Sequence, residues 1–213
     1  MQVAVANNMD ATVSVPVFRT ARKIRTDKFD ELYAKLKPKG VTVSALLSKA
    51  VALALEQHPI INAHYDSASR SIVYHKDINV ANAVALDGGL ITPTLKNANM
   101  MDILTLSAEW KSLVGKAKAG ALRPDEFQSG TFTVSNLGMF GVSQFGAILP
   151  PGTGAILAIG GANPTVKMVN GVPTEVKEME VTLTADHRHI YGADSAMFLK
   201  TLAEILEENT LDL

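Results

Sequence analysis

The chain of 213 residues has no cysteine. Disulfides, thiolate metal sites and cysteine nucleophiles are therefore excluded, and a reducing compartment is compatible. An excess of either charge is missing too: 20 basic residues stand against 21 acidic ones, a formal net charge of −1. Composition thus supplies no reason to expect nucleic acid or an anionic membrane surface as a partner. No apolar run has the length of a membrane span, because the stretch Phe145 to Gly161 is interrupted by Pro150-Pro151 and by glycines. Met1 to Met9 lacks the charged and apolar regions of a signal peptide. A transit peptide removed earlier would leave no trace. No Ser/Pro-rich linker, internal repeat or low-complexity tract divides the chain. What is present is a 47% hydrophobic composition, enough for one large domain with a substantial core.

Along the chain, residues 1–15 read as a loose or extended arm and 16–213 as the domain. A helix opens at Thr26-Asp27 and runs to about Leu36, with acids in its first turn and lysines in its last, until Pro38-Lys39-Gly40 ends it. A second, apolar helix spans about Ser44 to Glu56 and stops at His58-Pro59. Strands are expected at Ile60–Tyr65, Ser71–His75, Ile78–Leu86 and Leu90–Leu95, with Asp87-Gly88-Gly89 as a turn. Asp102 is an N-cap for a helix reaching about Lys118, with Gly120 just past its end. Strands at Thr131–Ser135 and Ala155–Gly160, a hairpin turning at Asn170-Gly171 and a last helix from near Asp194 complete the set. That helix carries Met197, Phe198, Leu202, Ile205 and Leu206 as its apolar side. Helices interleaved with mixed strands define an α/β domain.

Two stretches carry chemistry. Met179, Val181, Leu183 and Ala185 alternate with Glu180, Thr182, Thr184 and Asp186, the period of a half-buried strand. His187 would continue the apolar face, held rigidly and shielded from water. Such an imidazole is either a satisfied core histidine or a general base. His189 would point to the opposite face, so the two cannot grip one metal. His58, His64 and His75 show no partner pattern and read as structural or solvated. The second stretch, Gly130 to Gly141, runs a Thr- and Ser-bearing strand into a Gly-rich turn. A hydroxyl at such a break can donate to an oxyanion; alternatively Ser135 and Asn136 satisfy turn backbone. The glycines lack the G-x-G-x-x-G order of a dinucleotide site. No G-x-S-x-G elbow is present, and Ser44, Ser107 and Ser195 lie at or inside expected helices.

Taken together, Asp186-His187-Arg188 with Gly192-Ala193, then Ser135 to Gly141, Pro150 to Gly160 and Gly89 to Pro93, form a specific constellation. The chain resembles the catalytic domain of the dihydrolipoamide acyltransferases, core components of 2-oxo acid dehydrogenase complexes. It is more distantly similar to chloramphenicol acetyltransferase. The resemblance covers about Val15 to Leu213 and implies a chloramphenicol acetyltransferase-like fold, a mixed sheet flanked by helices that forms trimers. His187 falls on the family's catalytic histidine and Ser135 on its oxyanion-stabilising hydroxyl, the two meeting across a subunit boundary. Leu90 and Thr92 fall on a strand lining the substrate channel, and the resemblance assigns Asn136 and Tyr191 to the same channel.

The same resemblance implies acetyl transfer from S-acetyldihydrolipoamide to coenzyme A, a substrate, within a pyruvate dehydrogenase complex. No metal is implied. The lipoyl group would come from a separate domain absent here. Partners would be two further copies in a homotrimer and a larger core, a lipoyl domain, and, through missing domains, pyruvate dehydrogenase and dihydrolipoamide dehydrogenase. Leu211 and Leu213 could dock one trimer on another, or form a frayed tail. Tyr191 is the departure, since the family usually carries Asp there. The tyrosine resembles the plastid and cyanobacterial branch, which implies the chloroplast stroma, with a cyanobacterial cytoplasm or mitochondrial matrix as alternatives. Two other readings remain: a catalytically impaired structural core, and a transferase for another acyl group or for a small molecule.

Overall fold

The computed structural model describes residues 2–210 and 213. Its elements are α1 (Gln2–Asp10), β1 (Val17–Arg25), α2 (Asp27–Leu36), α3 (Val43–Gln57), β2 (Ala63–Asp66), β3 (Ser71–Tyr74), β4 (Val80–Asn82), β5 (Val84–Leu86), β6 (Gly89–Ile91), β7 (Thr94–Leu95), α4 (Ile103–Lys118), β8 (Phe132–Asn136), β9 (Ala155–Ile159), β10 (Asn163–Val169), β11 (Val172–Asp186) and α5 (Gly192–Glu207).

One sheet organises the molecule, in the order β1-β11-β9-β8-β4-β7, with β10 paired to the first half of β11. Its middle strands, β4, β8 and β9, run parallel. Every residue of β4 and β9 is buried, as expected for parallel strands covered on both faces. One face packs α2 to α5 through a single cluster that includes Leu46, Leu55, Phe132, Leu157, Val181, Leu183, Phe198 and Leu202. On the other face the irregular stretch around Ala147 and Leu149 covers Ile156 and Ala158. At the outer edge, β1 carries Arg19, Arg22, Lys23 and Arg25, charges that discourage pairing with a foreign strand.

The helices follow their local chemistry. The Thr42 hydroxyl accepts the Ala45 amide at the start of α3, whose apolar sequence is buried nearly all round. Asp102 accepts the amides of Leu104 and Thr105, both at 3.0 Å, at the start of α4. Asn170 and Gly171, with φ of 51° and 81°, make the tight turn between β10 and β11.

Several expectations need correction. Residues 2–10 form a helix rather than an extended arm. The stretch from Val17 to Arg25, unassigned above, is a strand, fixed by nine-residue pairing with β11. The strand expected at Ile60 starts at Ala63, because Ile61 and Asn62 bond back to His58 and Pro59 in turns. The expected strand Ile78–Leu86 divides at Ala83 between the main sheet and a hairpin. The expected strand Leu90–Leu95 divides at Pro93, which has no amide to donate. Thr182, Thr184 and Asp186 are buried along with their apolar neighbours, since both faces of β11 are covered there. Met197, placed above on the apolar side of the last helix, is 50% exposed. Leu211 lies outside the described residues, whereas Leu213 packs against the core.

Candidate active site

Strand β11 ends at Asp186, whose amide bonds the Gly154 carbonyl at 2.9 Å. The next amide, of His187, bonds Pro16 O at 2.8 Å, so both neighbouring strands hold this corner. The imidazole Nδ1 lies 2.9 Å from the Ile190 carbonyl. A carbonyl only accepts, so Nδ1 carries the proton and Nε2 keeps its lone pair. The ring stacks on Phe18 at 4.8 Å between centroids and 22° between planes, and meets Tyr191 edge-on at 5.9 Å and 66°. His187 is exposed in the single chain, contrary to the expectation of a shielded ring. The strand has already ended, and the turn carries the ring to the sheet margin.

The flanking residues are committed elsewhere. Arg188 donates from Nε and Nη2 to the Asp186 carboxylate at 2.7–3.1 Å and lies over the Tyr65 ring at 4.7 Å. The hydrogen bond to Asp186 raises the Arg188 pKa above its ordinary value. His189 points inward; its Nε2 lies 3.2 Å from Ala63 O, and burial lowers its pKa. His187 and His189 therefore diverge, through a turn rather than by strand alternation. His64 and His75, read above as partnerless, bond each other at 3.0 Å, and His58 bonds Thr201 at 2.8 Å. Among the described residues no group of three or more His, Cys, Asp or Glu could hold a metal ion.

Ser135 sits half-buried near the end of β8. Its neighbour Asn136 accepts the Gly138 amide through Oδ1 at 2.8 Å, a turn-stabilising role. The turn closes because Gly138 abuts Gly160 and Gly161, where a Cβ would lie 3.0 Å from the backbone of each. Gly161 donates to Val142 O at 2.8 Å, pinning the segment that follows Ser135. The Asn82 amide bonds Pro93 O at 2.9 Å, and Asn82 is in register with Val134. Thr92, just before Pro93, thus lies at the same sheet end as Ser135; its hydroxyl donates to Phe127 O at 3.4 Å. Leu90, on the β5–β6 hairpin, is 47% exposed.

The sequence-predicted residues thus form two separate groups. Ser135 is in register with Ala158, and Ala158 with Thr182, so the serine lies level with a β11 residue five positions before His187. At about 3.3 Å per residue and about 4.8 Å between strands, Ser135 and His187 stand roughly 19 Å apart within one chain. They also lie on different faces. Ser135 shares a face with Ala158 of the smaller cluster, while Phe18, which stacks on His187, pairs with Ala185 of the helix-side core. One chain cannot bring them together.

A sequence model of the family described as "2-oxoacid dehydrogenases acyltransferase (catalytic domain)" matches residues 1–213. The chain belongs to that family. It is 56% identical over 209 residues to the chloroplastic dihydrolipoyllysine-residue acetyltransferase component 5 of pyruvate dehydrogenase complex from Arabidopsis thaliana, covering 98% of this chain and 45% of that protein. It is 36% identical over 210 residues to the corresponding component from Rickettsia felis, covering 95% and 50%. The chain thus spans about half the length of the curated relatives it matches. Its fold superimposes on the cubic core of a pyruvate dehydrogenase multienzyme complex with a TM-score of 0.92 at 28% identity, over 100% of this chain and 90% of the other. Chloramphenicol acetyltransferase shares the fold, at a TM-score of 0.61 and 17% identity over 94% of each chain.

Within this acyltransferase domain, the family match takes in the N-terminal residues expected above to form an arm. Phe18 and the Gly160-Gly161 platform escaped the sequence reading. Phe18 belongs to a strand whose partner lies more than 150 residues away, so no local pattern marks it. The paired glycines directly after an apolar strand were visible as a signal of close backbone approach.

Proposed function

We propose that the domain transfers an acetyl group from S-acetyldihydrolipoamide to coenzyme A, at sites each formed by His187 of one chain and Ser135 of another. The observation that carries this is their separation: a free Nε2 and a hydroxyl at opposite sheet ends are useful together only between copies. The thiol of coenzyme A has a pKa of roughly 8.5, so little is thiolate at neutral pH. His187 Nε2 takes the thiol proton, and the sulfur forms a bond to the acetyl carbonyl carbon. Ser135 donates to the resulting oxyanion. Collapse breaks the bond from carbon to the dihydrolipoamide sulfur, which recovers the proton from Nε2. General-base assistance of this kind contributes roughly 10²–10⁴-fold.

The division of residues calls for a homotrimer, and similarity to a cubic core supports assembly into a larger particle. Leu90, Thr92, Asn136 and Tyr191 line the approach to the shared site. Residues 16–213 form the catalytic domain and 1–15 an adjoining segment. The acetylated lipoyl group arrives on a separate domain, and the pyruvate dehydrogenase and dihydrolipoamide dehydrogenase components join through segments outside this chain. The protein works in a plastid, a reading that similarity to a chloroplastic relative supports.

The test mixes two inactive chains. His187→Ala and Ser135→Ala subunits, co-assembled at equal ratio, generate complete sites at about a quarter of head-to-tail interfaces. Acetyl transfer from acetyl-coenzyme A to free dihydrolipoamide, the same reaction in reverse, should then far exceed the mean of the two parents. Activity no higher than that mean, from mixed particles of correct mass, would refute a shared site.

A further inference from the structure

Orientation of His187 poses a problem that its backbone bond does not solve. The bond from Nδ1 to Ile190 O fixes one atom of the ring, yet the ring can still swing about that contact. A carboxylate against the ring would stop the swing, but the nearby acids are occupied elsewhere. Asp186 is clamped by Arg188, and Asp194 accepts the Tyr191 amide at 2.9 Å. Residue 191 is itself a tyrosine, 60% exposed at the start of α5.

Aromatic rings occupy the place instead. Phe18 lies nearly parallel to the imidazole, and Tyr191 approaches it edge-on. The phenyl ring is itself fixed. Its strand residue pairs with Ala185, and a Cβ added at Gly192 would meet the ring at 3.5 Å. The Pro16 carbonyl, two residues earlier on the same segment, holds the His187 amide. The start of β1 therefore grips both backbone and ring of one residue. At 37% exposure, Phe18 is only partly covered, as is Val17 beside it at 38%, so burial alone gives a weak account of an aromatic there.

We propose that Phe18 is a positioning residue for His187, and that Phe18 and Tyr191 form an aromatic bracket which aims Nε2 without a carboxylate. The proposal rests on the reading of His187 as the base. The bracket acts on the geometry of proton transfer rather than on binding, so its removal lowers kcat and leaves KM in place.

Phe18→Leu keeps an apolar side chain but removes the flat face, whereas Phe18→Tyr keeps the face. Steady-state acetyl transfer with coenzyme A and dihydrolipoamide as acceptors is measured alongside particle mass for each variant. Phe18→Leu should lose roughly 10- to 100-fold in kcat, the scale of a small misplacement, with KM for both thiols within about twofold. Phe18→Tyr should restore kcat to within about twofold of the parent. Should Phe18→Leu fail to assemble, Tyr191→Ala, at an exposed position, carries the test in kcat alone, since Tyr191 also lines the substrate approach, with Tyr191→Phe as its rescue. Unchanged kcat in a correctly assembled Phe18→Leu particle, a loss confined to KM, or a loss that Phe18→Tyr fails to rescue overturns the bracket. The His187→Ala variant separates the two claims. Its activity would sink the base assignment whatever Phe18 does, while its inactivity beside an unimpaired Phe18→Leu would sink the bracket alone.

Discussion

At the scale of single residues, chemistry depends on which polar groups are already engaged. Asp186 and Arg188 satisfy each other, so their role is to hold the turn around His187 rather than to titrate it. Asp186 is buried, and replacing Arg188 with Met would leave that carboxylate without its cation. Breaking a buried pair from one side costs about 3–5 kcal/mol. Because the Arg188 side chain is 29% exposed, we expect the lower end of that range, read as a fall in the urea midpoint. Ser135 faces a different demand. Its removal should lower kcat by roughly 10²–10³-fold, the usual loss of one oxyanion donor, while KM changes little. A change in KM alone would reassign Ser135 to binding. Both residues were legible from sequence as motif members, as was His187. Their separation within one chain was not legible in local spacing, because sheet register has no counterpart there; only the resemblance implied that the two meet across a subunit boundary.

Secondary-structure elements show a similar division between local and distant causes. The caps at Thr42 and Asp102 and the Asn170-Gly171 turn are written in neighbouring residues, and those elements were legible within a residue or two. Strand β1 was not, since Val17 to Arg25 becomes a strand through pairing with β11. The run Ile78–Leu86 likewise has one pattern but two fates. Its first part joins the parallel core beside β8 and its second turns away into a hairpin. At Gly160 the backbone itself makes the contact. A Cβ there would overlap the Ser143 carbonyl, while the Gly160 amide holds Glu180 O at 2.9 Å. Gly160→Ala must therefore displace the segment around Ser143, at an overpacking cost of about 1–3 kcal/mol. We expect a lower Tm and, because the same segment continues from Ser135 and Gly138, a reduced kcat. An unshifted Tm would mean that this segment yields freely.

For the whole molecule, acid is the revealing variable. His58, His75 and His189 are all held below the ordinary histidine pKa, in each case chiefly by burial, with His64 adding to the depression at His75 and His189. The folded chain protonates these rings at lower pH than the unfolded chain, whose histidines titrate near pH 6.5. Below that pH the unfolded state binds protons that the folded state refuses, so stability falls as pH drops from about 6.5 toward the lowered folded values. Carboxylates act later. Asp66, Asp102, Asp125 and Glu126 are depressed, each chiefly by a side-chain hydrogen bond, from Ser69, Thr105, Lys96 and Lys116 respectively. Their contribution is present above the unfolded carboxylate values of about 4 and is lost as pH falls through the folded ones. Urea midpoints should therefore be level from pH 8 to pH 7, decline as pH falls below about 6.5, and drop again below about 4. His189→Gln supplies the control, because its amide can donate to Ala63 O in place of Nε2 and does not titrate. That variant should shallow the first decline and leave the second. A midpoint that stays constant from pH 7 to pH 5 would show that these three imidazoles titrate alike in the folded and unfolded chains, and they would then have no part in acid sensitivity.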